Sequence, residues 1–474
     1  MARLRWLAGP ASVAAIALVV RLLWGSGTGN YDSLYALIWG RQLAHGHTPS
    51  FDVTLAPTPH PLANLASMAL APLAPRTAEG VVVVIAFLAL GAVGWLTYRL
   101  GEHWFGWPAG VLAAVLMLTR EPVLSYGTRS YIDVPYLALV LGALLAIARN
   151  PRAAGLPLGL LALAGLIRPE AWLFSFAYVA WLIWRGGERR AEWIGLALAA
   201  PLLWMAFDLI AVGNPLHSLT GTRHGAQTLG RVTGIQNVPT TLPRRVGEIL
   251  REPVLVGAVI GLALTWAFLR DRVRLLVIAG VAGVVAYAIL GAAGLPILTR
   301  YAFFVATLGA LLCGAAVFGW RLLPERHAWR RRWIALGALT ALLLVVFIPS
   351  QAHRLSSTRT ALIGQSRIED GLWALKLPNR CGELGVVNHR LVPVVSLHLD
   401  MNPFDVHPAP LPPGFRGQYI EPENAAVAKA FVLDPRDPSQ RVAGPPPGLY
   451  RASGNASWRV LQLCPRDVFQ RGGE

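Results

Sequence analysis

The sequence predicts an all-α polytopic membrane protein carrying a small C-terminal α/β domain, and three observations predict it. The 474-residue chain is 54% hydrophobic and only 14% charged, against roughly a quarter charged in soluble domains. Apolar runs recur through the first three-quarters of the chain; about eleven qualify as transmembrane helices when the shorter ones are allowed ends buried in protein. Arginines gather in short loops between alternate runs, as at Arg149 and Arg152, Arg185 to Arg190, Arg270 to Arg274 and Arg330 to Arg332. The positive-inside rule then puts the N-terminus in the cytoplasm, and an odd number of spans puts the tail outside. The expected location is the plasma (inner) membrane, multi-pass.

The spans are expected at 7–24, 78–99, 106–120, 133–149, 153–167, 169–184, 192–212, 253–269, 275–293, 300–320 and 333–349. Arg21 within the first run, and the lack of a small-residue cleavage site, favour a retained anchor over a signal peptide. Arg168-Pro169-Glu170 splits 153–184 into two helices meeting at a tight outward turn. A net charge of +17 can signal nucleic acid, but these basic residues lie between apolar runs rather than on one soluble face. No nucleic-acid partner is expected.

Two domains follow: 1–349 in the membrane, with an outer-face loop at 26–77, and 350–474 as the extracytoplasmic tail. The loop reads as an amphipathic helix from Tyr31 to about Ala44, a Gly/Pro-rich turn, and Pro59-His60-Pro61-Leu62 opening another helix. The tail is charged and Pro-rich, with strand-like runs GVVN (385–388), KAFVL (429–433) and WRVLQLC (458–464). Gly454-Asn455 is expected to turn a hairpin and Cys381 to pair with Cys464. Cys313, in an apolar run, reads as packing.

Four polar constellations fall on the outward side. Asp32 is either the N-cap of the helix that follows or a catalytic acid, and one residue can be both. Arg129 and Asp133 have the i, i+4 spacing of an intrahelical ion pair; the functional alternative is a second acid, with Arg129 holding an anion. Arg168 and Glu170, near bilayer depth, are either a mutual pair or part of a site. Fourth are Arg223-His224 in the 213–252 loop and Arg300-Tyr301 at the mouth of the tenth span; outside loops holding Arg223, Arg231, Arg244, Arg245 and Arg251 run against the positive-inside trend, from a genomic arginine bias or from an anionic ligand. His60 reads as a helix-start residue, since no second histidine stands at ligand spacing. There is no Walker loop, dinucleotide fingerprint, zinc motif or nucleophile elbow.

In order and spacing these elements resemble the GT-C membrane glycosyltransferases, closest to the branch of protein O-mannosyltransferases and the lipid A aminoarabinose transferase. The likeness rests on Asp32 after the first span, His60-Pro61-Leu62, Asp133 at the second outer loop, the run Gly165 to Glu170, and Thr299-Arg300-Tyr301 heading a late span. It covers about residues 7–320. One proline follows the histidine where the family has two, and the tail has no counterpart. The resemblance implies transfer of a hexosyl or pentosyl group from a polyprenyl-phosphate donor to a glycan, lipid or protein acceptor on the outer face. Asp32 would be the general base, and inversion the outcome. Asp133 would be the second acid, with His60, Arg129, Arg168, Glu170, Arg223, His224, Arg300 and Tyr301 binding substrate. No cofactor is expected; a divalent metal between the acids is weighed and not favoured. The alternatives are a transporter or flippase of a lipid-linked or anionic solute, and a membrane anchor displaying the tail.

Overall fold

The computed structural model describes residues 2–186, 188–378, 381–433, 442 and 444–464. They form two compact units, one of 1–25, 60–62 and 83–358, the other of 26–59, 63–82 and 359–474.

Every expected span falls on a helix. The chain runs through α1 (Ala2–Trp24), α2 (Tyr31–Ala44), α3 (Pro61–Ala69), α4 (Pro75–Phe105), α5 (Trp107–Leu118) and α6 (Glu121–Thr128). Then come α7 (Asp133–Arg149), α8 (Gly155–Gly165), α9 (Glu170–Trp184), α10 (Arg190–Val212) and α11 (His217–Thr228). The last long helices are α12 (Val238–Phe268), α13 (Arg270–Ala292), α14 (Phe303–Phe318), α15 (Arg330–Val346) and α16 (Ile348–Trp373).

Among the described residues, five helical segments are long and apolar enough to cross a membrane alone, and up to seven if α5–α6 and α15–α16 each count as one bent span. Residues 8–24 of α1, with α8 and α9, are apolar but shorter, and α7 has 17 residues. A full crossing takes about 20, so these four cross only with the aid of flanking residues or bilayer thinning. Their shortness has local causes. Pro169 lacks an amide hydrogen and disfavours helix at Arg168, so α8 and α9 stay separate.

The first unit packs around α14, where thirteen of sixteen residues are buried. Glycine sets the closest approach: a Cβ on Gly261 of α12 would sit 1.9 Å from the Leu312 carbonyl oxygen of α14. Bare backbone is what lets membrane helices touch at such distances. Outward faces stay apolar, with Ile210 of α10 and Val259 of α12 85% and 63% exposed, as a lipid-facing surface requires.

Buried Arg120, which the sequence reading passed over, joins two helix ends. Its guanidinium donates to Leu116 O at the end of α5 and to Leu250 O of α12, both at 3.0 Å. At the next residue, Arg251, α12 breaks (φ 65°), and Arg251 pairs with Glu121 at 3.0 Å. Arg251 leaves the helical conformation there, which interrupts the ladder after Leu250, and the Arg120 guanidinium takes the Leu250 carbonyl in its place.

In the second unit α2 is enclosed, not amphipathic: Ser33 to Gly40 are buried without interruption. A Cβ on Gly40 would fall 2.5 Å from the Met68 amide of α3. Arg41 donates to Ala71 O and Leu73 O and pairs with Asp400 at 3.1 Å. One guanidinium thus ties α2, the end of α3 and the tail together.

The tail opens with the end of α16, a helix not foreseen there. Its five-stranded sheet has the order β2-β1-β3-β5-β4, with β1 (Glu383–Val386), β2 (Val406–Pro408), β3 (Gly417–Pro422), β4 (Tyr450–Gly454) and β5 (Trp458–Leu463). β1 is parallel to β2 and β3, and β5 is antiparallel to β3 and β4. Helix α17 (Val392–Leu399) links β1 to β2 and packs on α2. The hairpin at Gly454-Asn455 forms, with Asn455 Oδ1 accepting the amides of Ser457 and Trp458. Cys381 and Cys464 are bonded, their Cα atoms 5.3 Å apart. KAFVL is helical instead of extended: Asn424 accepts the Val427 amide at 3.0 Å and starts an α turn that runs into a π turn, Ala428–Val432. The central strand of the sheet is β3, whose Gly, Gln, Glu and Pro do not read as a strand.

Candidate functional site

In the first unit the sequence-predicted residues Asp133, Arg168, Glu170, Arg300 and Tyr301 come together. Asp133 opens α7, Arg168 and Glu170 flank the α8–α9 turn, and Arg300-Tyr301 lie in a 3-10 turn (Thr299–Ala302) before α14. Each sits where a helix ends, so its polar head stays at the boundary while the apolar helix runs into the bundle.

Arg168, 6% exposed, is the hub. It donates to Asp133 Oδ1, and its Nε lies 3.0 Å from Glu170 Oε1. Its guanidinium stacks 3.7 Å from the centre of the Tyr301 ring and 5.6 Å from that of Tyr136. The mutual Arg168–Glu170 pair therefore exists, and Asp133 shares it. Arg300 Nε lies 3.5 Å from Asp133 Oδ2, with Tyr131 and Tyr301 rings at 5.3 and 5.6 Å. Among the described residues, Asp133 Oδ2 and Glu170 Oε2 are buried and accept no hydrogen bond. Both residues line a cavity of about 20 Å³ with Tyr136, Tyr287, Arg300 and Tyr301, room for about one water.

The Arg129–Asp133 intrahelical reading is corrected. Arg129 caps α6, Asp133 begins α7, and Ser130 between them takes φ 55°, so no single helix carries both. Arg129 donates instead to Ser125 Oγ within α6.

His60 joins the same unit, edge-on to Trp204 at 5.9 Å, and Leu62 N donates to Leu166 O at 3.2 Å. The ring is held against the α8–α9 turn by the Ile167 backbone, while Nδ1 is buried without a partner among the described residues. Burial, then the charge of Arg168, pushes its pKa down to about 3. His60 is a neutral imidazole at any working pH. Arg223 and His224 are exposed on α11, and Arg223 Nε donates to Ala293 O at 2.6 Å. Arg223 thereby braces α11 on the residue that follows α13, and both residues stay outside the cluster.

In the second unit Asp32 lies in the first turn of α2, half-buried. It is not the cap. Asn30 is: its Oδ1 accepts the Ser33 amide at 2.7 Å, and Ser33 Oγ accepts the Asn30 amide at 2.9 Å. Freed from that duty, the Asp32 carboxylate still gains from the helix N-terminus. Beside it the Tyr31 hydroxyl donates to Leu55 O at 3.0 Å, and the ring packs on Tyr35 and on His389 of the tail at 5.0 and 5.7 Å. Sequence reasoning missed Tyr136, Tyr131, Tyr31 and His389; an arginine pair close to tyrosines in sequence was the one available signal.

No family model matches the sequence, and no curated protein does. Solved structures match its fold. ArnT from Cupriavidus metallidurans bound to undecaprenyl phosphate superposes with a TM-score of 0.53 and 13% identity, covering 95% of this chain and 97% of that one. The apo state gives 0.52 and 15%, covering 97% and 98%. The apo oligosaccharyltransferase of Archaeoglobus fulgidus gives 0.50 and 12%, covering 88% of this chain and 69% of its own. The chain therefore shares the fold of these ArnT and oligosaccharyltransferase structures over nearly its whole length.

Proposed function

We propose that this protein moves a hexosyl or pentosyl group from a polyprenyl-phosphate carrier to a hydroxyl of a glycan, lipid or protein on the outer face of the membrane. The observation that carries the reading is the buried cluster of Asp133, Arg168, Glu170 and Arg300. Charges at such depth are functional by default. Its composition suits the donor: two carboxylate oxygens lack hydrogen-bond donors, which sugar hydroxyls supply, and a guanidinium stands beside them for the phosphate. The ArnT neighbour, seen with undecaprenyl phosphate, supports a lipid carrier.

Geometry divides the arginines. Arg168 holds both carboxylates, Asp133 and Glu170, while Arg300 lies beside the cavity, 3.5 Å from Asp133 Oδ2. We assign Arg168 to holding the acids in place and Arg300 to the leaving phosphate, whose growing charge a fixed guanidinium stabilises. Asp32 acts as general base, taking the proton of the acceptor hydroxyl as it attacks the anomeric carbon. Attack opposite the leaving group inverts that centre. Positive charge comes from arginine, and no step is assigned to a metal. The Cys381–Cys464 bond supports an oxidising, extracytoplasmic tail, and the arginine-dense loops support a cytoplasmic N-terminus.

The test is release of free polyprenyl phosphate by purified protein in detergent, supplied with mannosyl- and arabinosyl-polyprenyl phosphates and a hydroxyl acceptor. An enzyme releases it without compartments. Carrier intact with every donor, but moved across reconstituted vesicles, overturns the reading in favour of a flippase.

A further inference from the structure

Helix α7 opens on Asp133 and closes on Arg149, and beside its closing end lies a further cavity, of about 290 Å³. Gly142, Leu145, Ala146 and Arg149 line it from α7. Their spacing, i, i+3, i+4 and i+7, puts all four on one face of the helix, so an apolar stripe about 10 Å long ends at a guanidinium. Leu156 and Pro157 of α8 line it from the other side. The groove opens outward: Leu156 is 65% exposed, and Arg149 and Asn150 are exposed at its polar end.

The turn between the two helices is fixed. The Asn150 amide donates to Ala146 O at 3.0 Å and the Ala153 amide to Asn150 O at 3.1 Å, while the Tyr178 hydroxyl of α9 donates to Pro151 O at 2.8 Å. Arg149 and Arg152 stand on either side of this turn. Among the described residues neither guanidinium has a hydrogen bond, an ion pair or an aromatic face. Other arginines at the same end are engaged: Arg99 with Glu102 at 2.9 Å, Arg189 with Glu192 at 2.6 Å, and Arg185 on the rings of Trp181 and Trp184. Glu102, the acid whose charge reaches Arg149, already accepts from Arg99 and from the Tyr98 hydroxyl at 2.8 Å. Arg272 of α13 joins Arg149 in bearing on His103 of α4, so positive charge from two helices converges at this end.

We propose that this groove is a binding site for an anionic phospholipid: Arg149, Asn150 and Arg152 hold the headgroup phosphate, and one acyl chain lies along Gly142, Leu145 and Ala146. Two unpaired guanidiniums suit a phosphate, and basic pockets between membrane helices are where anionic lipids seat. The occupant is a lipid and not a free anion because the walls beyond the arginines are apolar. A soluble phosphate leaves those walls wet, whereas each chain methylene laid on them adds affinity. The cavity stands at the small end of ligand pockets, which begin near about 300 Å³, so it takes the first part of one chain and leaves the rest in the bilayer. Helix length brings the headgroup to it. α7 has 17 residues and α8 has 11, short of the roughly 20 of a full crossing, so their shared turn stays within reach of lipid phosphates. With the orientation argued above, the leaflet is the cytoplasmic one, opposite the end of α7 that carries Asp133. The inference needs these helices to lie in a membrane and does not depend on sugar transfer.

The test is a titration of phosphatidylglycerol into the full-length protein in detergent, with phosphatidylcholine as the zwitterionic control and bound lipid counted by native mass spectrometry. Wild type is expected to hold phosphatidylglycerol at least tenfold more tightly than phosphatidylcholine. Arg149→Ala combined with Arg152→Ala should abolish that preference, and Arg149→Lys, which keeps the charge, should retain most of it. Ala146→Phe, which fills the groove and leaves every charge in place, should weaken phosphatidylglycerol binding at least fivefold. Arg189→Ala, at an arginine of the same end that already has an acid, should change nothing. An unfolding temperature equal to wild type without added lipid shows that each variant folds. Excess glycerol 1-phosphate, the headgroup anion without chains, should leave the lipid bound. Displacement by glycerol 1-phosphate, equal affinity for the two lipids, or a loss in the Arg149/Arg152 variant no greater than in Arg189→Ala overturns the proposal.

Discussion

A carboxylate in the first turn of a helix has two ways to matter, and Asn30 separates them at Asp32. Because Asn30 and Ser33 close the capping box, Asp32→Asn should fold and insert normally. Loss of a general base lowers turnover by about 10²–10⁴-fold, read as polyprenyl phosphate release. Asn30→Ala should instead lower stability by about 1 kcal/mol, read as a drop in unfolding temperature. A second contrast lies between the arginines. Arg168→Ala strands two buried carboxylates, a change of about 3–5 kcal/mol, so little folded protein is expected in size-exclusion profiles. Arg300→Ala leaves Arg168 holding both carboxylates and should yield folded protein with impaired turnover. Neutral His60 gives a pH prediction. Its folded pKa of about 3 lies below the unfolded value near 6.5, so the unfolded chain binds the extra proton and stability falls as pH drops below 6.5. His60→Gln should lose less unfolding temperature between pH 7 and pH 5 than wild type does. Asp133, Arg168, Glu170 and Arg300 were legible in the sequence because charge among apolar residues is conspicuous. Their pairing was not: the αL residue Ser130 breaks the helix that i, i+4 spacing assumes, and Arg168 finds Asp133 35 positions away.

Among the elements, contact between α12 and α14 depends on bare backbone. Gly261→Ala places a methyl on the Leu312 carbonyl, and overpacking of that kind costs about 1–3 kcal/mol or forces the helices apart; thermal unfolding in detergent measures it. Helix positions were readable because hydropathy is a local property, and every apolar run became a helix. What hydropathy does not encode is where a long helix breaks. The Arg251 kink depends on Arg120 and Glu121 supplying partners from elsewhere in the chain. The tail shows the converse limit. KAFVL has strand-like composition, yet the Asn424 cap starts a helix there, while GQYIEP becomes the buried central strand because β1 and β5 pair with it on both sides. Partners settle both cases, and propensity is overruled.

At the scale of the whole molecule, the Cys381–Cys464 bond spans 83 positions, and chain-entropy arithmetic puts closure of such a loop at about 4–5 kcal/mol. Reduction, or Cys464→Ser, should therefore raise the protease sensitivity of the tail, seen as earlier cleavage in limited proteolysis. The second unit joins 26–59 and 63–82 to 359–474, so its halves leave the ribosome far apart in time. Tyr35 and Trp39, buried in the finished protein, emerge early on α2, while α17, which packs on that helix, is made near the end. A nascent chain stalled before Arg359 displays α2 without its cover. Completion of translation is thereby written into the surface of the first extramembrane loop, where quality control can read it.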